Sequence, residues 1–311
     1  MSTATPPSTA PSTAAGTAKG SPKGTAPASS PAKRPGLIRT AWGHGRTKIG
    51  VVLAGAIVLI ALVGPLVSPF SPTEFIGTPN STDVDGSLFG TDQFGRDVFT
   101  RFLHGGYTLI SIAVTSALAG VLLGAVLGIV AGYLRGKTDE VIMRANDMML
   151  AFPQLVLALL VMSIIGPKVW LIMVLIAVSH ASRVARVARE ATLKVVEQDF
   201  VKAAEAIGVP RVRIMATEIL PNITSPLLVE LGLRITYSVG LIATLSFLGM
   251  GLQPPTADWG LMINENRVAI TVQPWAVALP VAAVAILTIG ANLITDGLSR
   301  ASIGIDRGVE K

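Results

Sequence analysis

Few residues in this 311-residue chain are placed to do covalent chemistry. There is no cysteine, so no thiolate nucleophile, disulfide framework or cysteine zinc site is available. His44, His104 and His180 fall in separate parts of the chain and form no metal site. Gly132-Tyr-Leu-Arg-Gly136-Lys137-Thr138 approaches a phosphate-binding loop, but it has three residues between its glycines and closes an apolar stretch. The true loop needs four and follows a strand. The chain is therefore expected to bind no ATP, metal or other cofactor itself and to hold no catalytic residue. One charged pair stands out. Glu230 and Arg234 lie four apart inside an apolar block, acid first, the better order for an intrahelical pair. Charges at such depth are costly unless they face water or a partner. The pair either lines a translocation path or seats against another subunit.

A second feature is mechanical. Asp199 to Pro221 reads as an amphipathic helix, a glycine turn and a second short helix, wedged between apolar blocks. Asp199 is a good N-cap. Phe200, Ala203, Ala204 and Ile207 then share one apolar face at helical spacing. Gly208 can take the left-handed conformation that ends a helix, and Pro210 suits the first position of the next. The Ala203-Ala204 pair removes bulk where another protein surface could approach, although such a hairpin could also lie on the membrane.

The elements that position these features are membrane spans. Half of the residues are hydrophobic and 14% are charged, where a soluble chain carries about 25%. Mean hydropathy is +0.61. Crossing the hydrocarbon core takes roughly 20 apolar residues, and blocks of that length predict spans at about 48–69, 107–134, 141–165, 168–187, 223–249 and 274–298. The fold class is an all-α polytopic membrane protein with six transmembrane helices. Pro153 is positioned to kink the third span, which opens on an amphipathic turn. Gly120, Gly124, Gly128 and Gly132 recur down one face of the second span and allow a neighbouring helix to come close.

Charge sets the expected orientation. Lys and Arg gather before the first span, at 135–144, at 183–213 and at the C-terminal end. Arg96, Arg101, Lys168 and Arg267 alone fall on the other side. Positive loops stay inside, so both termini and the 199–221 pair are expected in the cytoplasm, with the 70–106 loop outside. The sequence pI near 9.8 reflects this topology and contact with membrane lipid, not nucleic acid. Residues 1–36 are rich in Ser, Thr, Ala and Pro, which predicts a disordered cytoplasmic tail. Residues 37–311 form the membrane domain.

The run Ala203-Ala204-x3-Gly208, with Leu220-Pro221 beyond it, resembles the EAA loop of ABC importer permeases. The resemblance implies the type I ABC importer permease fold, and that this loop forms the coupling helices that dock on an ATPase. It implies contact roles for Phe200, Lys202, Ala203, Ala204, Glu205, Ile207, Gly208, Pro210, Arg211, Leu220 and Pro221. Two departures are Lys202, where the family usually has glutamate, and Glu218, where an aliphatic residue is usual. With Asp199 as N-cap, Lys202 falls at N3 and the capping-box bond is lost.

Phe89-Gly90-Thr91-Asp92-x-x-Gly95-Arg96-Asp97, running to Gly105-Gly106, resembles the outer segment of peptide and nickel importer permeases. Leu245 to Pro255, followed by Asp258-Trp259-Gly260, is similar to their other hallmark. Tyr107-Thr108 departs from the usual small and basic pair. Gly90 and Gly95 permit tight turns and Asp92 can cap a short helix. Asp92, Arg96, Asp97, Met250 and Gln253 either dock a binding protein and gate the path or brace the outer loop.

The likeness is to the second permease of a dipeptide or oligopeptide importer in a bacterial plasma (inner) membrane. It implies as partners a homologous second permease, two ABC ATPases carrying ATP and Mg, and an extracellular or periplasmic substrate-binding protein. A nickel or other metal chelate is the alternative cargo. The alternative from another class is an ion-coupled secondary transporter, which would carry inverted repeats and several midplane acidic sites. One charged pair and no clear repeat argue against it.

Overall fold

The computed structural model describes Trp42, Gly43 and residues 45–307, with side chains to Ser302. The 1–36 tail and His44 lie outside the described residues. The main helices are α1 (Gly45–Val67), α2 (Val98–Leu134), α3 (Gly136–Ala151), α4 (Gln154–Ile165), α5 (Val169–Val196), α6 (Asp199–Ala206), α7 (Arg211–Arg213), α8 (Leu220–Asn222), α9 (Thr224–Phe247), α10 (Trp259–Asn266) and α11 (Trp275–Arg307). A π-turn, Ile214–Ile219, joins α7 to α8. Among the described residues β-structure is limited to two isolated bridges, Phe75 with Arg96 and Thr91 with Asp97.

Among the described residues five helices, α1, α2, α5, α9 and α11, are long and apolar enough to cross a bilayer, and α3 with α4 form a sixth candidate bent by 80°. The bend falls at Pro153, the expected kink of the 141–165 span, and at 80° it divides that span into two helices. Phe152 takes an extended conformation ahead of Pro153 (φ −90°, ψ 132°), as a residue before proline favours, and the chain turns a corner there. The second helix also starts earlier than expected. Asp97 caps it, its Oδ2 accepting from the Thr100 backbone N–H at 2.7 Å, so residues 98–106 are helix and not outer loop.

The broadest helix contact is between α2 and α5, along the glycine face. A Cβ at Gly124 would sit 2.6 Å from the Ala181 carbonyl and from Val184 Cβ. One at Gly128 would sit 2.5 Å from the Ala185 carbonyl and from Ala188 Cβ. In lipid no hydrophobic force draws helices together, so close backbone approach and dispersion hold such a seam. A second close crossing sets Gly50 of α1 against Gly290 and Leu293 of α11.

The apolar core has two parts. The larger is built on Ile57, Leu109, Ile172, Ile242, Trp259 and Leu287. The smaller gathers Ile129, Tyr133, Val184, Val201, Ile214 and Ile219 where the α6–α8 pair meets the ends of α2 and α5. The pair and the 70–97 segment lie at opposite ends of the bundle, since α2 and α9 run from one to the other.

Candidate functional site

At one end, the α6–α8 pair has a seated face and a free one. Val201, Ile214 and Ile219 are fully buried. The π-turn explains the last two, because a ladder of i to i+5 brings residues five apart onto one side. The free face carries Phe200, Ile207, Val212 and Leu220, with Ile207 80% exposed. Ala203, Gly208 and Pro210 are exposed with them. The apolar face expected from Phe200, Ala203, Ala204 and Ile207 is therefore split. Ala204 packs inward while the other three look out. Val201 supplies the anchor that helical spacing alone did not single out.

The turn between the helices is a Schellman motif. Gly208 has φ +79°, its N–H donates to the Glu205 carbonyl at 3.0 Å, and Val209 N–H donates to the Ala204 carbonyl at 3.1 Å. The paired apolar contact of this motif is present too, since Ala204 and Val209 pack on the same core. Two cap positions shift by one residue. Gln198, not Asp199, is the N-cap of α6, which moves Lys202 from N3 to N4. Pro210 is the N-cap of α7, and Arg211 opens that helix. Asp199 stays in the first turn, where an acid suits the helix dipole. Lys202 Nζ approaches Glu197 at 3.8 Å, and Glu197 also takes Arg135 at 2.5 Å. The Arg135 hydrogen bond and charge hold the Glu197 carboxyl below its usual range. Glu205 and Arg211 are exposed, as is Pro221.

At the other end the two hallmark segments meet. Trp259 is fully buried, its Nε1–H donates to the Phe102 carbonyl at 2.8 Å, and its ring stacks on Phe102 at 5.7 Å. Gly105 and Gly106 make the slot. A Cβ at Gly105 would lie 2.9 Å from the indole Cδ1, and one at Gly106 would overlap the ring and meet Ala61 Cβ at 2.8 Å.

Beside this slot lies a buried ionic cluster. Arg96 Nε donates to Asp92 Oδ2 at 2.8 Å. Glu265 Oε2 accepts from both Arg96 and Arg101, each at 2.9 Å. Arg101 is fully buried and its Nε lies 3.4 Å from Asp92. Burial pushes the Glu265 carboxyl upward, while the guanidinium groups of Arg101 and Arg96 pull against that. Asp97 is occupied by its helix cap and by the Ser87 hydroxyl at 2.5 Å. Asp92 caps no helix. Its Oδ1 closes a turn by accepting from the backbone of Phe94 and Arg96. Asp92, Arg96 and Asp97 are thus held inside the chain by these bonds, with exposures of 6% or less.

Gln273 Nε2 donates to the Phe89 carbonyl at 2.9 Å and Asn266 Oδ1 accepts from Gln93 N–H at 3.0 Å, tying the same two segments together. A side chain at Gly90 would collide with this staple, its Cβ falling 2.7 Å from Gln273 Nε2. Met250 is half-buried against the large core. Gln253 is exposed and folds onto the Gly249 and Gly251 carbonyls at 3.1 and 3.2 Å. The sequence reading missed Glu265, Arg101 and Gln273 as members. A signal was present: Asp258 and Glu265 are the only acids between 250 and 273, and Arg101 borders an apolar span and needs a counter-charge.

Between the ends, Glu230 and Arg234 form their ion pair at 3.0 Å with both side chains nearly buried. The Arg234 guanidinium also lies over the Tyr237 ring, 5.2 Å from its centre. One turn further, Ser238 shares a 2.9 Å hydrogen bond with His180 of α5. His104 bonds only to the Thr100 carbonyl of its own helix, at 2.9 Å. Among the described residues no three His, Asp or Glu side chains cluster so as to hold a metal ion.

The family model of the binding-protein-dependent transport system inner membrane component matches residues 120–303. The chain is 34% identical to the dipeptide transport system permease protein DppC of Alkalihalophilus pseudofirmus, over 80% of this chain and 83% of that one. It is 34% identical to the di/tripeptide transport system permease protein DppC of Pseudomonas aeruginosa, over 83% and 88%. It is 32% identical to the glutathione transport system permease protein GsiD of Escherichia coli, over 85% and 91%.

Proposed function

Because this chain belongs to the family of binding-protein-dependent transport system inner membrane components, a transport subunit with ATPase and substrate-binding partners, we propose that it is one of the two permeases of an ATP-driven importer of short peptides. The peptide cargo is supported by relatives whose names specify dipeptide, di/tripeptide and glutathione transport. The carrying observation is the free apolar face of the α6–α8 pair. Phe200, Ile207, Val212 and Leu220 stand exposed there although their neighbours Val201, Ile214 and Ile219 are fully buried. An apolar face rigidly seated from behind fits a partner that pushes on it.

The positive-inside pattern supports a cytoplasmic position for that face and for both termini. Two ABC ATPases there bind ATP and Mg, and this chain binds neither. Their closure moves the pair, and through the smaller core it moves α2 and α5 against the rest, so that the path opens to each side in turn. The braced Asp92–Glu265 end then faces outward, where the substrate-binding protein delivers its load. The chain carries no catalytic residue in this scheme. The test uses the absence of native cysteine. Ile207→Cys should cross-link to an ATPase subunit in the purified complex, and labelled dipeptide uptake into vesicles should require ATP. Uptake that continues without any ATPase rejects the reading.

A further inference from the structure

A cleft of about 390 Å³ lies between α4, α9 and α11, lined in part by Gln154, Tyr237, Thr244, Thr288 and Asn292. It belongs to the spans and not to either end. Thr288 stands 13 residues into α11, roughly 20 Å along the helix axis, and Gln154 opens α4 just past the Pro153 corner. Tyr237 is 55% exposed and Asn292 is exposed on α11. Amide and phenol groups held against lipid lose their hydrogen bonds at considerable cost. Leu155 and Leu241 make much of the wall apolar, and the polar groups set into it at this depth are matched to water or a polar solute.

The chemistry of the wall is specific. The Thr244 and Thr288 hydroxyls each donate to a carbonyl of their own helix at 2.7 Å, Gly240 and Val284 respectively. That use of the proton leaves lone pairs to accept from a visitor. The exposed Asn292 amide supplies donors, and Gln154 Nε2, buried without a partner among the described residues, is a further donor once its side chain turns toward the cleft. No ionised side chain lines the cleft. Arg234, beside the lining residue Tyr237, sits under that ring and is already paired with Glu230. Neutral donors and acceptors match the N–H and C=O groups that every peptide carries, whatever its side chains. With no fixed charge, the wall offers nothing to trap either terminus.

We propose that this cleft is the stretch of solute path supplied by this chain, and that it hydrogen-bonds the main chain of a short peptide in transit. The proposal rests on the importer reading. Its test has two arms. In the first, Asn292→Cys, Thr244→Cys and Thr288→Cys are made in the cysteine-free chain and treated, in the assembled complex, with a membrane-impermeant anionic methanethiosulfonate. Leu59→Cys and Leu122→Cys, on apolar outer faces of α1 and α2, are the controls. The cleft positions should react roughly tenfold faster than the controls, as water-filled sites do. Rates equal to the controls overturn the proposal. In the second arm, Asn292→Leu with Gln154→Leu should lower ATP-driven uptake of labelled trialanine by roughly five- to tenfold, the worth of one or two hydrogen bonds. Assembly and ATP hydrolysis should stay near wild type. Unchanged uptake overturns the proposal. A wild-type complex that moves no trialanine rejects the peptide reading instead, and the labelling arm still decides whether the cleft is a water-filled path.

Discussion

The indole of Trp259 donates to the backbone carbonyl of Phe102, 157 residues away in sequence, at 2.8 Å. With the Arg101–Glu265 ion pair, that bond fastens the segment after α9 onto the first turns of α2, and the ring fills a slot that exists only because Gly105 and Gly106 lack side chains. Gly106→Ala should destabilise the folded chain by about 1–3 kcal/mol through overpacking. Trp259→Phe should cost about 1 kcal/mol for the lost bond alone. Thermal unfolding in detergent measures both, and Gly106→Ala at wild-type stability would refute the slot.

Glu265 balances two buried guanidinium groups. Glu265→Ala strands Arg96 and Arg101 on Asp92 alone and should cost about 3–5 kcal/mol, the usual penalty for breaking a buried ion pair. Glu265→Gln keeps the shape and should recover part of it. Equal, small effects from both variants would mean that water reaches the cluster.

The pH dependence follows from Asp258, which caps α10 through a 2.9 Å bond from Leu261 N–H. Burial pushes its carboxyl up to about 6, against the opposing pull of the Leu261 and Gly260 N–H groups and the Ser246 hydroxyl. The folded value lies above the unfolded one, about 3.9, so the folded state holds the proton more tightly. Its stabilisation is complete below about pH 4 and disappears as pH rises through 6. The unfolding midpoint should therefore rise between pH 7.5 and 5. Asp258→Asn keeps a good cap and should lessen that rise. An unchanged slope in the variant would place the titration elsewhere.

Gly208 tests the elbow of the α6–α8 pair. Its surroundings are open, so backbone conformation alone limits substitution. Gly208→Asn should be nearly neutral, because asparagine visits the left-handed region. Gly208→Val should lose about 1–2 kcal/mol locally and uncouple ATP hydrolysis from uptake. The ratio of solute moved to ATP hydrolysed is the readout, and an unchanged ratio in Gly208→Val would show that the elbow need not be rigid.

Much of this was legible in the sequence for simple physical reasons. Apolar block length marks helices that lie in lipid, and the Gly120 to Gly132 register marks a face where only another backbone fits. Gly208 was readable because left-handed φ favours one residue. The failures share a cause. The π-turn at Ile214–Ile219 depends on what the segment packs against, which local periodicity does not carry. Phe200 and Ile207 share one apolar face with Ala204 by spacing, yet they face outward while Ala204 packs inward, a split that spacing does not carry. Asp92, Arg96 and Asp97 look like surface charges until Glu265, far along the chain, arrives to neutralise two arginines.

The short helix α4 has one more implication. Its 12 residues cover about 18 Å, while the hydrocarbon core is about 30 Å thick. Along that flank the subunit leaves a notch in its own hull, and oil would have to thin or polar backbone would be left bare there. In the two-permease importer proposed above, the sister subunit is the polypeptide that would be fitted against that gap.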